Sequence, residues 1–285
     1  MKKPGIRRWA QLGVATAIAL GAALASGGAS AQIANTKHNL TTSGPGTVKL
    51  TSSTSPTGTE EICVFCHTPH GASSTAGGPP LWNKGLPAAG SFTTYSTSTL
   101  DSTIDLTGSP SLACLSCHDG VSALDNIVNA PGSGGYTPGG ANLAWSWAGG
   151  ADTMPAGITR IGTDLTNDHP IGMNYCGYSA ADTTSGALTC RDTDFHVTTG
   201  TNNNVKFDAT KVVWWVQTPP GATNPLRDKR DLPLYTRTIA SVQGPTVECQ
   251  TCHDPHVSSA NGTSGETFLR IPNTGSQICL SCHVK

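Results

Sequence analysis

Apolar residues gather in one near-continuous run at the start of the chain and scatter after it. Leu12 to Ala25 follows Lys2, Lys3, Arg7 and Arg8 and precedes Ala29-Ser30-Ala31. Basic, apolar and small-residue regions in that order read as a secretory signal over residues 1–31, with the mature chain starting at Gln32. The run is too short and too rich in Ala and Gly for a good membrane span. No later segment approaches 18 uninterrupted apolar residues, so no span is expected. An uncleaved anchor is the alternative. The residue just after the cleavage point is Gln32, not a cysteine, which argues against a lipid-anchored form.

Beyond Gln32 the pattern supports little regular structure. Strand-like runs stand at 212–216, Val212-Val213-Trp214-Trp215-Val216, and at 232–239, and Gly-rich segments lie near 132–140. The expected fold is mostly coil with short helices and a few short strands. Gly, Pro, Ser and Thr dominate, and hydrophobic residues make up 36% of the whole chain, part of that in the signal. Such a composition buries little aliphatic surface for its length. Ten cysteines and six tryptophans argue against disorder, and a large prosthetic group resolves the conflict.

Eight of the ten cysteines form four copies of one motif: Cys63-Val-Phe-Cys66-His67, Cys114-Leu-Ser-Cys117-His118, Cys249-Gln-Thr-Cys252-His253 and Cys279-Leu-Ser-Cys282-His283. Each is C-x-x-C-H, the attachment signature of c-type haem. Two thiols add to the two vinyl groups of one porphyrin, and the next residue sets an imidazole under the same ring. A lone C-x-x-C reads equally as a redox dithiol or half a zinc site, but neither gives a reason for His after every second cysteine. Four covalent haems are therefore expected, with Cys63, Cys66, Cys114, Cys117, Cys249, Cys252, Cys279 and Cys282 as attachment points. His67, His118, His253 and His283 are the proximal ligands. Cys176 and Cys190, 14 residues apart in an exported chain, favour a disulfide of roughly 3 kcal/mol, with two free thiols as the alternative.

Five histidines remain for the opposite iron faces: His38, His70, His169, His196 and His256. Outside the signal only Met154 and Met173 could ligate through sulfur, so bis-histidine irons of comparatively low potential are the economical reading. In Cys66-His67-Thr-Pro-His70 and Cys252-His253-Asp-Pro-His256 the second histidine follows the first by three. If the segment is helical both project from one side, and the second must serve another haem. A surface histidine after a turn-forming proline is the bland alternative. Pro170 biases His169 toward an extended, projecting conformation. His38, near the mature terminus, and His196 are weaker candidates on sequence alone. The tryptophans Trp82, Trp214 and Trp215 either flank haems or fill ordinary core.

The residues 119–248 between the second and third motifs carry no attachment site. They are read as an insert within one tetrahaem domain over 32–285, drawn onto the haems by His169. With four of the seventeen Lys and Arg in the signal, 13 remain against 18 Asp and Glu, a balance of −5 that gives no nucleic-acid surface.

The segments Thr36-Lys37-His38-Asn39-Leu40, Gly44-Pro45-Gly46, Ile62 to Gly71, Pro80-Leu81-Trp82-Asn83, Cys114 to Gly120, Asn167-Asp168-His169-Pro170-Ile171 and Cys249 to His256 together resemble the multihaem cytochromes of metal-reducing bacteria, in particular the tetrahaem type that polymerises into extracellular filaments. The region of Cys176, Cys190 and His196 departs from that pattern. The resemblance implies a close-spaced chain of bis-histidine haems and a homopolymer carrying electrons to outside acceptors, redox proteins or minerals. It strengthens His38 and His169 as ligands, with His38 reaching a haem of the neighbouring subunit. A soluble periplasmic shuttle and a nitrite- or hydroxylamine-type reductase are the rivals. The reductase needs an open iron, and five spare histidines for four irons argue against it.

Overall fold

The computed structural model describes residues 32–73, 80–200, 203–219, 226–257 and 268–284. The secretory signal read at 1–31 lies outside them. Among the described residues no helix is long and apolar enough to cross a membrane.

Helices are short, and all three described α-helices carry attachment motifs. They are α1 (Ser111–His118), α2 (Cys249–Cys252) and α3 (Gln277–Cys282), and the first motif sits on a 3₁₀ turn, Ile62–Phe65. All nine described strands fall inside the motif-free insert. Strands β1 (Asn126–Asn129) and β2 (Tyr136–Asn142) pair with each other, as do β4 (Ala180–Ala181) and β5 (Leu188–Thr189). Five strands form an antiparallel sheet in the order β3-β9-β8-β7-β6, namely Met173–Asn174, Val242–Val247, Leu232–Ile239, Val213–Val216 and Val205–Asp208. The strands expected at 212–216 and 232–239 are thus β7 and β8. The Cys176–Cys190 disulfide is formed and brackets the β4–β5 hairpin.

Packing is divided among three small clusters. The sheet carries one of Tyr175, Trp214, Leu232 and Leu234, against which Ile278 and Cys282 of the fourth motif pack. Phe65 of the first motif anchors a second with Trp145, Trp147 and Ile127, and Leu112 and Leu115 of α1 join Phe92, Leu106 and Leu165 in a third. The insert therefore has an aliphatic and aromatic core of its own, more than the composition suggested. Trp214 belongs to it, edge-tilted on Phe207 at 4.3 Å.

The β8–β9 hairpin turns through Ala240 and Ser241, both with positive φ (49° and 67°). A two-residue turn of that hand matches the strand twist but is normally built from Asn-Gly, because a Cβ is strained there. Replacing the pair by Asn-Gly (Ala240→Asn with Ser241→Gly) is expected to stabilise the chain by about 1 kcal/mol. The denaturant midpoint, read at unchanged slope, checks it.

Candidate haem-binding site

Each motif closes one turn. The backbone N–H of the proximal histidine donates to the carbonyl of the first cysteine in three of them: His67 to Cys63 at 2.8 Å, His253 to Cys249 at 3.0 Å and His283 to Cys279 at 2.9 Å. That turn sets both thiols, at i and i+3, on one side. It then stops. His253 (φ −111°, ψ 141°) and His283 (φ −93°, ψ 142°) are extended caps. The helical premise used above for His70 and His256 fails for this reason: Pro69 and Pro255 push the preceding residue out of the α region, and the proximal histidine is drawn into an antiparallel bridge. Its partners are Trp82 for His67, Leu269 for His253 and Phe195 for His283.

The structure brings candidate ligands together in pairs. The rings of His67 and His256 lie 6.1 Å apart at 16°, and those of His38 and His118 lie 6.3 Å apart at 78°. Two imidazoles each bound through nitrogen at about 2 Å to one metal ion have ring centroids roughly 6 Å apart. His169 and His283 line a common cavity of about 210 Å³ with Met173 and Phe195. His38, to which the family resemblance gave a role across a subunit boundary, thus lies beside His118 of its own chain. His70 is exposed, its carbonyl accepting from Thr68 Oγ1 (2.7 Å) and Asn129 Nδ2 (2.9 Å).

Hydrogen bonds orient these rings. A backbone carbonyl accepts from Nδ1 of His67 (Pro80, 3.1 Å), His118 (Thr159, 2.6 Å), His169 (Pro170, 2.9 Å) and, at a longer 3.5 Å, His38 (Pro255). Nδ1 of His256 donates to Asp254 Oδ1 at 3.2 Å, and Arg270 holds the other carboxylate oxygen at 3.3 Å. A ring whose Nδ1 carries the proton offers its Nε2 lone pair to a metal. His196 is turned the other way: its Nε2 faces the Leu280 carbonyl at 3.3 Å, and its backbone N–H donates to Cys282. It serves the fourth motif as a strut.

Burial, then the neighbouring His118, lowers the His38 pKa to about 4, leaving the neutral ring that metal ligation requires. Burial also lowers His67. The hydrogen bond to Asp254 raises His256, and in return that bond, with Arg270, brings Asp254 down to about 2. Burial pushes the Cys66 thiol up to about 12 and Cys252 to about 11. Burial thus keeps both thiols protonated. Cysteines of successive motifs lie near one another. Cys66 and Cys117 pack on one cluster, Cys114 and Cys249 share a hydrogen bond that holds Cys114 protonated, and Cys252 lies in the field of Cys279.

A family model described as a doubled CXXCH motif matches residues 243–285. This stretch holds the third and fourth motifs. A doubled CXXCH motif binds c-type haem covalently and fits an electron carrier, so the chain is a haem-binding protein of the electron-transfer kind. No curated protein matches the chain. The donor sets fit haem: paired cysteines, a following imidazole and ring pairs at axial spacing. Trp82, edge-on to His67 at 6.0 Å, adds a buried indole N–H with no partner among the described residues.

Glu248 is a positioning residue that the sequence reading passed over. Its side chain is fully buried; Oε1 accepts from Arg237 Nη1 (2.9 Å) and Thr246 Oγ1 (2.9 Å), and Oε2 from the hydroxyls of Ser109 and Ser111. Its N–H donates to Thr251 Oγ1 at 3.0 Å, closing a capping box at the start of α2. Removing one partner of a buried pair strands the other, so Glu248→Ala should destabilise the chain by about 3–5 kcal/mol, measured by denaturant unfolding. His196→Ala should instead leave the low-spin absorption spectrum of every haem unchanged, because its Nε2 is engaged with Leu280.

Proposed function

We propose that the chain moves electrons through four closely spaced bis-histidine c-type haems. The observation carrying this is the pair of ring spacings, His67–His256 and His38–His118, with Nδ1 of each ring tied to an oxygen. His169 with His283 is read as a third axial pair across their shared cavity. Bound haem supplies a reversible Fe(III)/Fe(II) couple. His67 with His256, His38 with His118 and His169 with His283 would hold three of the irons from both sides and keep substrate from them, and the nearness of successive motifs' cysteines would order the centres along the sequence from the first motif to the fourth. Closed irons fit a conductor and not a nitrite- or hydroxylamine-type reductase.

The finer reading is a subunit of an extracellular conductive filament like the tetrahaem protein OmcE, exported by the signal at residues 1–31 and built from copies of one tetrahaem domain over 32–285. The shuttle in the periplasm is the second reading. The lie of His38 against its own chain's His118 favours it, since no ligand is then lent to a neighbour.

A carbon-monoxide difference spectrum of the reduced native protein tests the conductor: no haem-equivalent shift is expected, and a full-haem shift would point to an enzyme. Parallel and perpendicular imidazole planes give rhombic and strongly anisotropic low-spin resonances respectively. His38→Ala should therefore remove an anisotropic signal, and His256→Ala a rhombic one. Light scattering and electron microscopy of the same preparation separate polymer from monomer.

A further inference from the structure

The His67–His256 pair differs from the His38–His118 pair in what meets the far side of one ring. Nδ1 of His38, His67, His118 and His169 faces a backbone carbonyl, a neutral acceptor. Nδ1 of His256 faces a carboxylate, Asp254 Oδ1, at 3.2 Å, and the same oxygen accepts the His256 backbone N–H at 3.0 Å. The matching position of the first motif is Thr68, whose hydroxyl donates to the His70 carbonyl and brings no charge. Asp254 is held from behind. Arg270 Nη1 meets its other oxygen at 3.3 Å, Arg270 Nε donates to the Gln250 carbonyl at 3.0 Å, and the Asp254 N–H donates to the Phe268 carbonyl at 2.7 Å. The arginine side chain is 11% exposed and the carboxylate 22%, so water screens this charge only in part.

A hydrogen bond to an anion is roughly twice as strong as one to a neutral acceptor. It draws the Nδ1 proton away from the ring and makes Nε2 a stronger donor to a metal. Iron(III) carries one more positive charge than iron(II), so it gains more from the stronger donor and from the nearby anion. We infer that Asp254 is a positioning residue that lowers the reduction potential of the iron held between His67 and His256. The control crosses between motifs: Asp254 stands one residue after His253 of the third motif, yet acts on the haem attached at Cys63 and Cys66. Arg270 is the counterweight, a cation that fixes the carboxylate and offsets part of its field. No proton changes hands. Reduction adds one electron to iron, and Nδ1 keeps its hydrogen. Lys84, a buried cation in the field of Cys66, bears on the same motif from elsewhere and is left as it is in the variants that test this.

This rests on the reading of those two rings as one axial pair, and a redox titration of the haem-loaded protein, followed by electron spin resonance at one pH, tests both. His256→Ala should abolish one low-spin signal, which marks the centre to follow; if every haem signal survives it, the axial pair itself is wrong. In Asp254→Asn the amide oxygen still accepts from Nδ1, so the marked signal should persist with its midpoint shifted upward. Arg270→Gln should shift the same midpoint downward, and Arg270→Lys should leave it close to wild type. Loosened packing alone would not send the two charge-removing variants in opposite directions. With the axial pair intact, the inference is overturned if the Asp254→Asn midpoint stays or falls. It is equally overturned if the shift appears only on the haem lost when Cys249 and Cys252 are both changed to Ser. Should Asp254→Asn fail to load haem, Arg270→Gln decides, and an unmoved or raised midpoint there sinks the inference.

Discussion

The arrangement of attachment motifs depends on one buried carboxylate. Glu248 caps the turn that carries Cys249, accepts from two serines at the start of α1, and pairs with Arg237 on the central strand β8. Arg237 donates in turn to the carbonyls of Asp105 and Thr107 ahead of α1. A charge with no exposure is tolerated only when its oxygens are filled this completely. The consequence is that the second and third motifs are locked side by side by a sheet that carries no haem itself, and that Cys114 meets Cys249. The motif-free insert is therefore a jig for the attachment motifs.

A second constraint acts on the motif histidines. In three motifs the proximal histidine leaves its turn and bridges a returning segment, at Trp82, Leu269 and Phe195. The bridge fixes the backbone on both sides of the ring, and for His67 the returning Pro80 carbonyl also holds Nδ1. Orientation of the candidate ligand is thus set largely by backbone pairing, with less left to side-chain entropy. His196 follows from the same rule. It succeeds Phe195 as Asn83 succeeds Trp82 and Arg270 succeeds Leu269, and all three donate a backbone N–H to the second cysteine of a motif. A position that serves as a strut in two copies is a strut in the third.

What the sequence made legible was whatever has fixed local spacing. Cysteine motifs, the Cys176–Cys190 bridge and the β-branched and aromatic runs of β7 and β8 are of that kind. Strand β9 was hidden because Gly244-Pro245 reads as a turn. In the fold Pro245 opposes Thr236, and a Cβ at Gly244 would run into Tyr178 and Ala181, so tertiary packing outweighs local preference. The hairpin at Ala240-Ser241 and the left-handed Leu81 and Phe268 carry no Gly or Asn to announce them. Glu248 and the fully buried Lys84, whose Nζ donates to the carbonyls of Ala123 and Leu124, look like ordinary surface charges until distant partners arrive. Distal ligand pairing is of the same long-range kind, since His67 meets a histidine far along the chain.

Exposed apolar side chains normally suggest an assembly surface, and here that inference weakens residue by residue. Leu81 lies in the segment returning to His67, and Leu280 lies inside the fourth motif. Val121 follows His118, Ile158 adjoins the carbonyl that holds the His118 ring, and Ile161 donates its N–H to the His118 carbonyl. Tyr136 stands over Gly71, next to His70. Apart from Leu226, the large exposed apolar residues therefore border the candidate ligands, where porphyrin faces come to rest on the proposed reading. On that reading the prosthetic groups would cover them, and among the described residues few other large apolar side chains are exposed. If copies of this chain join end to end through the described surface, a polar contact of that kind would loosen as salt screens it.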